Sequence, residues 1–180
     1  MRTLRVITTA LVCAGLLVAP SAAGSATPSQ EPAPRKSPPK ARIVAREGFH
    51  KGVVWSYCWT YSEGDWGVGV CGDGWYAWRT PLAVPSGSKV KLVFRWAQQP
   101  SRLSIRGWSR VRPNGSPRGR GDKLAYRLRP ERSPGEGITG WAAHFRVPDR
   151  TGHLYLDASG RWNGESSGGG ASYSFHLRLE

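Results

Sequence analysis

An antiparallel, all-β fold of two packed sheets is what this sequence predicts, and three observations carry that reading. Apolar residues recur at every second position in six separate runs. Helical spacing is almost absent, and Gly- and Pro-rich clusters separate the runs. Strands with one apolar and one polar face are those of antiparallel sheets with a single wet side.

The chain opens on a segment outside that pattern. Arg2 and Arg5 precede an almost wholly apolar run, Val6 to Val18, which Pro20 ends before the small residues of "SAAGSA". That order is a secretory signal peptide over residues 1–26, with cleavage after Ala23 or Ala26. The apolar run is too short for the roughly 20 residues of a membrane span, so no transmembrane segment is expected after cleavage. Cys13, in "ALVC", makes a poor lipobox because the apolar run continues past it. Removing 1–26 takes away Arg2, Arg5, Cys13 and no acid, so the net charge falls from +14 to +12 and Cys58 and Cys71 remain. An even pair in a secreted chain reads as one disulfide. Residues 27–41, "TPSQEPAPRKSPPKA", carry five prolines and no large apolar residue, and are expected to be a disordered, polyproline-biased leader. Residues 42–180 are long enough for one domain with a single core.

Within that domain the first strands lie near Ile43 and through the aromatic stretch "WSYCWTYSEGDWGVGVCGDGW", Trp55 to Trp75, with a further candidate at Tyr76–Arg79. Then "KVKLVFRW" points Val90, Leu92, Phe94 and Trp96 inward, and Lys89, Lys91 and Arg95 outward. "RLSIRGW" buries Leu103 and Ile105. "KLAYRLR" buries Leu124, Tyr126 and Leu128 as one strand. "WAAHFRV" buries Trp141, Ala143, Phe145 and Val147, and "HLYLDA" buries Leu154, Leu156 and Ala158. "YSFHLRL" sends Tyr173, Phe175, Leu177 and Leu179 inward, with Ser174, His176 and Arg178 outward. About nine strands at this spacing describe an immunoglobulin-like β-sandwich, with a barrel as the alternative.

The two cysteines sit where a hairpin would pair them. If Gly64-Asp65 is a two-residue loop, Glu63 opposes Trp66, Tyr61 opposes Val68 and Cys58 opposes Cys71. Counting outward from the loop, Cys58–Cys71 is a non-hydrogen-bonded pair, where Cα atoms approach to about 4.5 Å, close enough for a disulfide. A zinc site needs about four ligands, and a redox pair is closer to Cys-x-x-Cys. The staple is therefore the expected role. The same register puts Trp55, Tyr57, Trp59 and Tyr61 on one face, expected as core. Trp66, Trp75 and Trp78, at or near turns, are the candidates for an exposed aromatic platform.

No motif of known catalytic mechanics is present, and neither a cofactor nor a metal site is indicated, so the chain is expected not to be an enzyme. His50, His144, His153 and His176 are isolated in sequence, and His144 and His176 are expected to be solvated on outward faces. Glu63, Asp65 and Asp73 suit turn chemistry. Positive charge is the stronger signal. Arg110, Arg112, Arg118, Arg120, Lys123, Arg127, Arg129 and Arg132 are interrupted by only Asp122 and Glu131. Read as a flexible basic loop beside an arginine-faced strand, they point to polyanions, expected outside the cell to be anionic wall polymers or acidic glycans. No recognition helix or RNA-recognition signature points to sequence-specific nucleic acid. A carbohydrate-binding module using exposed tryptophans is the alternative, and a loop-based enzyme or inhibitor a weaker one.

"SYCW", Ser56 to Trp59, followed by "VCGDG", Val70 to Gly74, resembles a group of bacterial secreted and lipoprotein-like proteins in which S-Y-C-W precedes C-x-D. "VPSGS", Val84 to Ser88, and "GHLYLDASGRW…ASYSFHLRL", Gly152 to Leu179, extend the likeness to about a third of the domain. The resemblance implies a small extracellular immunoglobulin-like sandwich and brings no catalytic residues with it.

Overall fold

A computed structural model describes residues 35–180; the expected signal peptide and residues 27–34 of the expected leader lie outside the described residues. Twelve strands form, where about nine were expected, and no helix is present among the described residues. The chain runs β1 (Lys40–Ala45), β2 (Gly48–Lys51), β3 (Val53–Glu63), β4 (Trp66–Asp73), β5 (Leu82–Val84), β6 (Lys89–Arg95) and β7 (Arg102–Trp108). It continues through β8 (Asp122–Lys123), β9 (Tyr126–Ser133), β10 (Gly137–Arg146), β11 (Gly152–Asn163) and β12 (Ser167–Leu179). One sheet has the order β2-β1-β6-β10-β9; the other has β4-β3-β12-β11-β7-β8, with β5 beside β12. Pairing is antiparallel throughout except for the short parallel contact of β5 with β12.

The additional strands are short ones. β2, β5 and β8 have two to four residues each, too few for period-two alternation to register. The stretch read as one strand, Lys123–Arg129, is broken at Leu124–Ala125: β8 ends in one sheet and β9 begins in the other. Tyr76–Arg79 forms no strand; the carbonyls of Ala77 and Arg79 meet side chains of β12 instead. β1 starts at Lys40, two residues inside the segment expected as leader, and Arg35 N–H donates to Ser167 Oγ at 3.3 Å.

The inward faces of β6, β11 and β12 are buried as their alternation implies, and on β10 Ala143 and Phe145 are buried while Trp141, expected with them, is half-buried. Five rings meet between the sheets: Trp59 of β3, Trp162 of β11, Tyr173 of β12, Phe94 of β6 and Trp96 just after it. Trp59 lies 5.3 Å from Trp96, Phe94 lies 5.3 Å from Trp162, and Phe94 lies 5.7 Å from Tyr173. Trp59 Nε1–H donates to Arg35 O at 2.8 Å, and Tyr173 Oη–H donates to Pro39 O at 2.6 Å. The polar ends of two core rings thereby tie down residues 35–39, while the buried indole N–H groups of Trp96 and Trp162 have no hydrogen-bond partner among the described residues.

The β3–β4 hairpin has the register its turn dictates: Glu63 opposes Trp66, and the pairing runs without slip to Cys58 opposite Cys71. The two cysteines are disulfide-bonded with Cα atoms 4.1 Å apart. Gly64 takes φ +62°, the left-handed conformation that a primed turn asks of its first residue. One expectation for this hairpin fails. Opposite β12 the register shifts between Ser172–Ser56 and Tyr173–Val54, leaving Trp55 without a cross-strand partner. Such a bulge re-aims a side chain. Trp55 leaves the face it was expected to share with Tyr57, Trp59 and Tyr61 and donates from Nε1 to Asp157 Oδ1, on the outer face, at 3.0 Å.

Large rings inside require bare backbone beside them. Gly169 sits at φ +142°, and a Cβ there would run into the carbonyl oxygen of Cys58. Gly169→Ala is expected to destabilise the fold by about 2–3 kcal/mol through overpacking. Gly67→Ala, on the open hairpin edge where a Cβ meets nothing within 4 Å, is expected to change stability by less than about 0.5 kcal/mol. Urea denaturation of the two variants checks the contrast; equal effects would contradict it.

Candidate polyanion-binding face

The outer face of the five-stranded sheet is assembled from the polar halves of its alternating strands. Reading across the registers, one row is Phe49, Val44, Lys91, His144 and Arg127; the next is Lys51, Arg42, Val93, Ala142 and Arg129. Lys40 pairs with Arg95 on one side of these rows and Lys89 with Arg146 on the other. The face thus gathers nine basic side chains, Lys40, Arg42, Lys51, Lys89, Lys91, Arg95, Arg127, Arg129 and Arg146. Glu131 is the acid on it, held by Lys91 Nζ at 3.1 Å through each carboxylate oxygen. Neighbouring strands lie about 4.8 Å apart and alternate residues about 6.7 Å apart along a strand. Both spacings are shorter than the roughly 10 Å screening length at 0.1 M salt, so the charges act as one field.

The eight basic residues singled out in sequence do not all join this face. Arg127 and Arg129 do, on β9 at the sheet edge, and Arg132 lines a neighbouring cleft with Arg42 and Arg95. Lys123 lies on β8 of the other sheet, and Arg110, Arg112, Arg118 and Arg120 belong to the connection between β7 and β8. That connection is a small closed hairpin rather than a loose loop. Val111 bridges Pro117, Arg112 N–H donates to Ser116 O at 2.8 Å, and Arg118 N–H donates to Arg110 O at 3.1 Å. Among the described residues none of the eight forms an ion pair; the three pairs present are Lys36–Glu63, Lys91–Glu131 and Arg178–Glu180. Of the cations of β1, β2, β6 and β10, those of β6, Lys89, Lys91 and Arg95, were legible as outward-facing. What assembles them is the pairing order, which alternation alone does not supply.

The seven-stranded sheet has a different outer face. Residues 74–81 cross it as a strap: Ser174 Oγ–H donates to Ala77 O at 3.2 Å, His176 Nδ1 meets Arg79 O at 3.0 Å, and His50 Nε2 meets Thr80 O at 3.0 Å. This cover corrects the expectation for His176, which is 8% exposed rather than solvated; His144 is exposed. A carbonyl can only accept, so His176 carries its proton on Nδ1, and its Nε2 accepts from His153 Nδ1–H at 2.9 Å. Tyr155 stacks on His176 at 4.4 Å, Trp78 meets Tyr155 edge-on at 5.1 Å, and Tyr76 stacks on Trp78 at 5.1 Å. Trp55 then closes the series at 4.3 Å from Tyr76. Trp78, expected as an exposed platform residue, is half-buried here and donates from Nε1 to Gly115 O at 2.6 Å. Trp66 and Trp75 are 79% and 82% exposed.

Burial dominates the electrostatics under the strap. It pushes the Asp157 carboxyl up, against the hydrogen bonds from Trp55 and Ser159, and with help from Asp157 it pushes the Tyr76 hydroxyl up to about 12. Asp73 accepts from Ser56 Oγ–H at 2.6 Å, and Glu63 pairs with Lys36 at 2.7 Å, so both carboxylates have structural partners. Among the described residues no group of three or more His, Cys, Asp or Glu side chains is placed to hold a metal ion, and no helix is long and apolar enough to cross a membrane. No protein-family model, curated protein or solved structure matches the chain.

Burial lowers the proton affinity of the His176 imidazole, chiefly by desolvation. The unfolded chain therefore takes up this proton first as pH falls, and the stability His176 supports is complete above about pH 6.5 and declines below it. Asp157 works with the opposite sign at lower pH: its raised affinity favours the folded state in acid, and that contribution fades as pH rises through its folded value. The urea midpoint of the wild type is expected to drop between pH 7.5 and pH 5.5, and His176→Gln to show a smaller drop. Parallel pH profiles for the two proteins would count against this assignment.

Proposed function

We propose that this chain is a secreted, non-catalytic, immunoglobulin-like β-sandwich that binds anionic cell-envelope polymers, wall polymers or acidic glycans, through the outer face of its five-stranded sheet. The observation that carries the reading is the density of that face: nine basic side chains in register against one acid already paired. A broad array of like charges suits an extended polyanion better than a compact ligand, because the attraction sums over many contacts and needs no exact fit. The chain crosses repeatedly between two sheets that share one core, which supports the immunoglobulin-like arrangement. A disulfide persists in oxidising compartments, which supports the extracellular placement.

Retention on immobilised polyphosphate is the direct test. Binding is expected at 0.1 M salt and to be lost at 1 M, where screening shrinks to about 3 Å. Arg127→Glu/Arg129→Glu is expected to weaken it at least about tenfold, with little change in stability, since both side chains are exposed. Binding that ignores ionic strength, or that is absent at low salt, rejects the proposal.

A second reading, a carbohydrate-binding module, is favoured by the exposure of Trp66 and Trp75, because exposed indoles stack on sugar rings. It predicts oligosaccharide quenching of tryptophan fluorescence that survives 1 M salt and disappears in Trp66→Ala or Trp75→Ala. Quenching that vanishes with salt would assign the ligand to the basic face instead.

A further inference from the structure

Beside the basic face, where β1, β2 and the start of β3 meet the strap, the surface opens into a groove of about 360 Å³. That volume lies at the lower end of the roughly 300–1,000 Å³ of small-ligand sites. Its lining divides sharply by chemistry. Pro38, Pro39, Phe49 and Val54 supply apolar wall, and Phe49 and Val54 are 56% and 39% exposed, unusual for residues of their kind. Every charged residue of the lining is a cation: Lys40, Arg42, Lys51, Arg79 and Arg95. The floor is firm, because Gly52 N–H donates to Ala41 O at 2.9 Å and the Phe175 ring packs where a Gly52 side chain would stand.

Arg42 is the point at which the two chemistries meet. Its guanidinium carbon lies 5.9 Å from the Phe49 ring centroid, while its Nε is buried and has no hydrogen-bond partner among the described residues. With five cations and no acid in the lining, the complementary ligand of this groove carries an anionic group. A polymer of evenly spaced charges would satisfy the cations and leave Phe49 and Val54 in water. A neutral apolar molecule would cover those two and leave five cations unmatched.

We infer that this groove binds a single-chain amphiphile with an anionic head, an alkyl or acyl chain carrying a phosphate or carboxylate, with the head at Arg42 and Arg79 and the chain along Phe49 and Val54. The groove shares Lys40, Arg42, Lys51 and Arg95 with the polymer-binding face and adds Arg79 and Val54 from outside it. Arg79 lies on the strap, and Val54 is on β3 of the other sheet, so both can be altered without touching the basic array.

Titration calorimetry with octyl phosphate below its micelle threshold tests it, with inorganic phosphate and octyl glucoside as the head-only and chain-only probes. Octyl phosphate is expected to bind one to one and at least about tenfold more tightly than either. Phe49→Ser/Val54→Ser and, separately, Arg79→Gln are each expected to weaken it about tenfold, and in Arg79→Gln, whose residue lies outside the basic array, retention on polyphosphate is unchanged. Octyl carboxylate in place of the phosphate distinguishes the two head groups. Equal affinity for octyl phosphate and inorganic phosphate overturns the proposal, as does an unchanged affinity in Phe49→Ser/Val54→Ser. Binding to phosphatidylglycerol vesicles that saturating octyl phosphate fails to displace would assign the surface to a membrane and overturn it too. Failure on polyphosphate with intact octyl phosphate binding would remove the polymer reading alone.

Discussion

The rings of Trp59, Trp96, Trp162, Phe94 and Tyr173 occupy the space between the two sheets, and most other features of the fold answer to them. Side chains of that size hold the backbones apart where they stand and demand glycine where a strand must pass close. Gly160 lies so near the Trp162 ring that a Cβ would overlap it, and Gly168 and Gly169 do the same against neighbouring backbone. Gly168 and Gly169 of β12 are therefore packing requirements of close strand backbones, not a flexible interruption of a strand. Trp59 also reaches out to the chain before β1, so the same cluster anchors residues that by composition have no reason to be ordered.

The arrangement leaves the two outer faces with opposite characters. On the five-stranded side the strands end in long basic side chains over a small apolar floor, Val93 and Ala142, both buried. Their stems have methylene groups to lay over such a floor while the charges stay in water. On the seven-stranded side the strap brings Trp55, Tyr76, Trp78, Tyr155 and His176 into a second aromatic cluster outside the main core. One face is open and charged; the other is partly closed and titratable. The amphiphile groove lies where the basic face meets the strap, and it takes cations from both.

Much of this was readable from residue order, and the failures have physical causes. The β3–β4 register followed from a two-residue loop because a hairpin is local: once Gly64-Asp65 is the turn, Cys58 must face Cys71. The buried faces of β6, β11 and β12 followed from alternation because each is long enough to show it. His176 was misjudged because alternation says which way a side chain points and nothing about what crosses above it. Trp55 was misjudged because a bulge depends on the partner strand, here β12, more than one hundred residues downstream. The basic face was the largest gap: Arg42 and Arg129 share a row, through Val93 and Ala142, only after four strands far apart in sequence have paired.

That separation has a bearing on how the molecule assembles. β3 sits between its hairpin partner and β12, the last strand of the chain, while β1 waits for β6 and β6 for β10. The β3–β4 ribbon, with its own crosslink, is thus a self-sufficient local piece, but the middle of its sheet stays vacant until the carboxy-terminal residues arrive. Contacts this remote make for high contact order and slow acquisition of the native state. Until the final thirteen-residue strand docks, Trp59 has no roof, and the nascent protein remains a loose collection of hairpins.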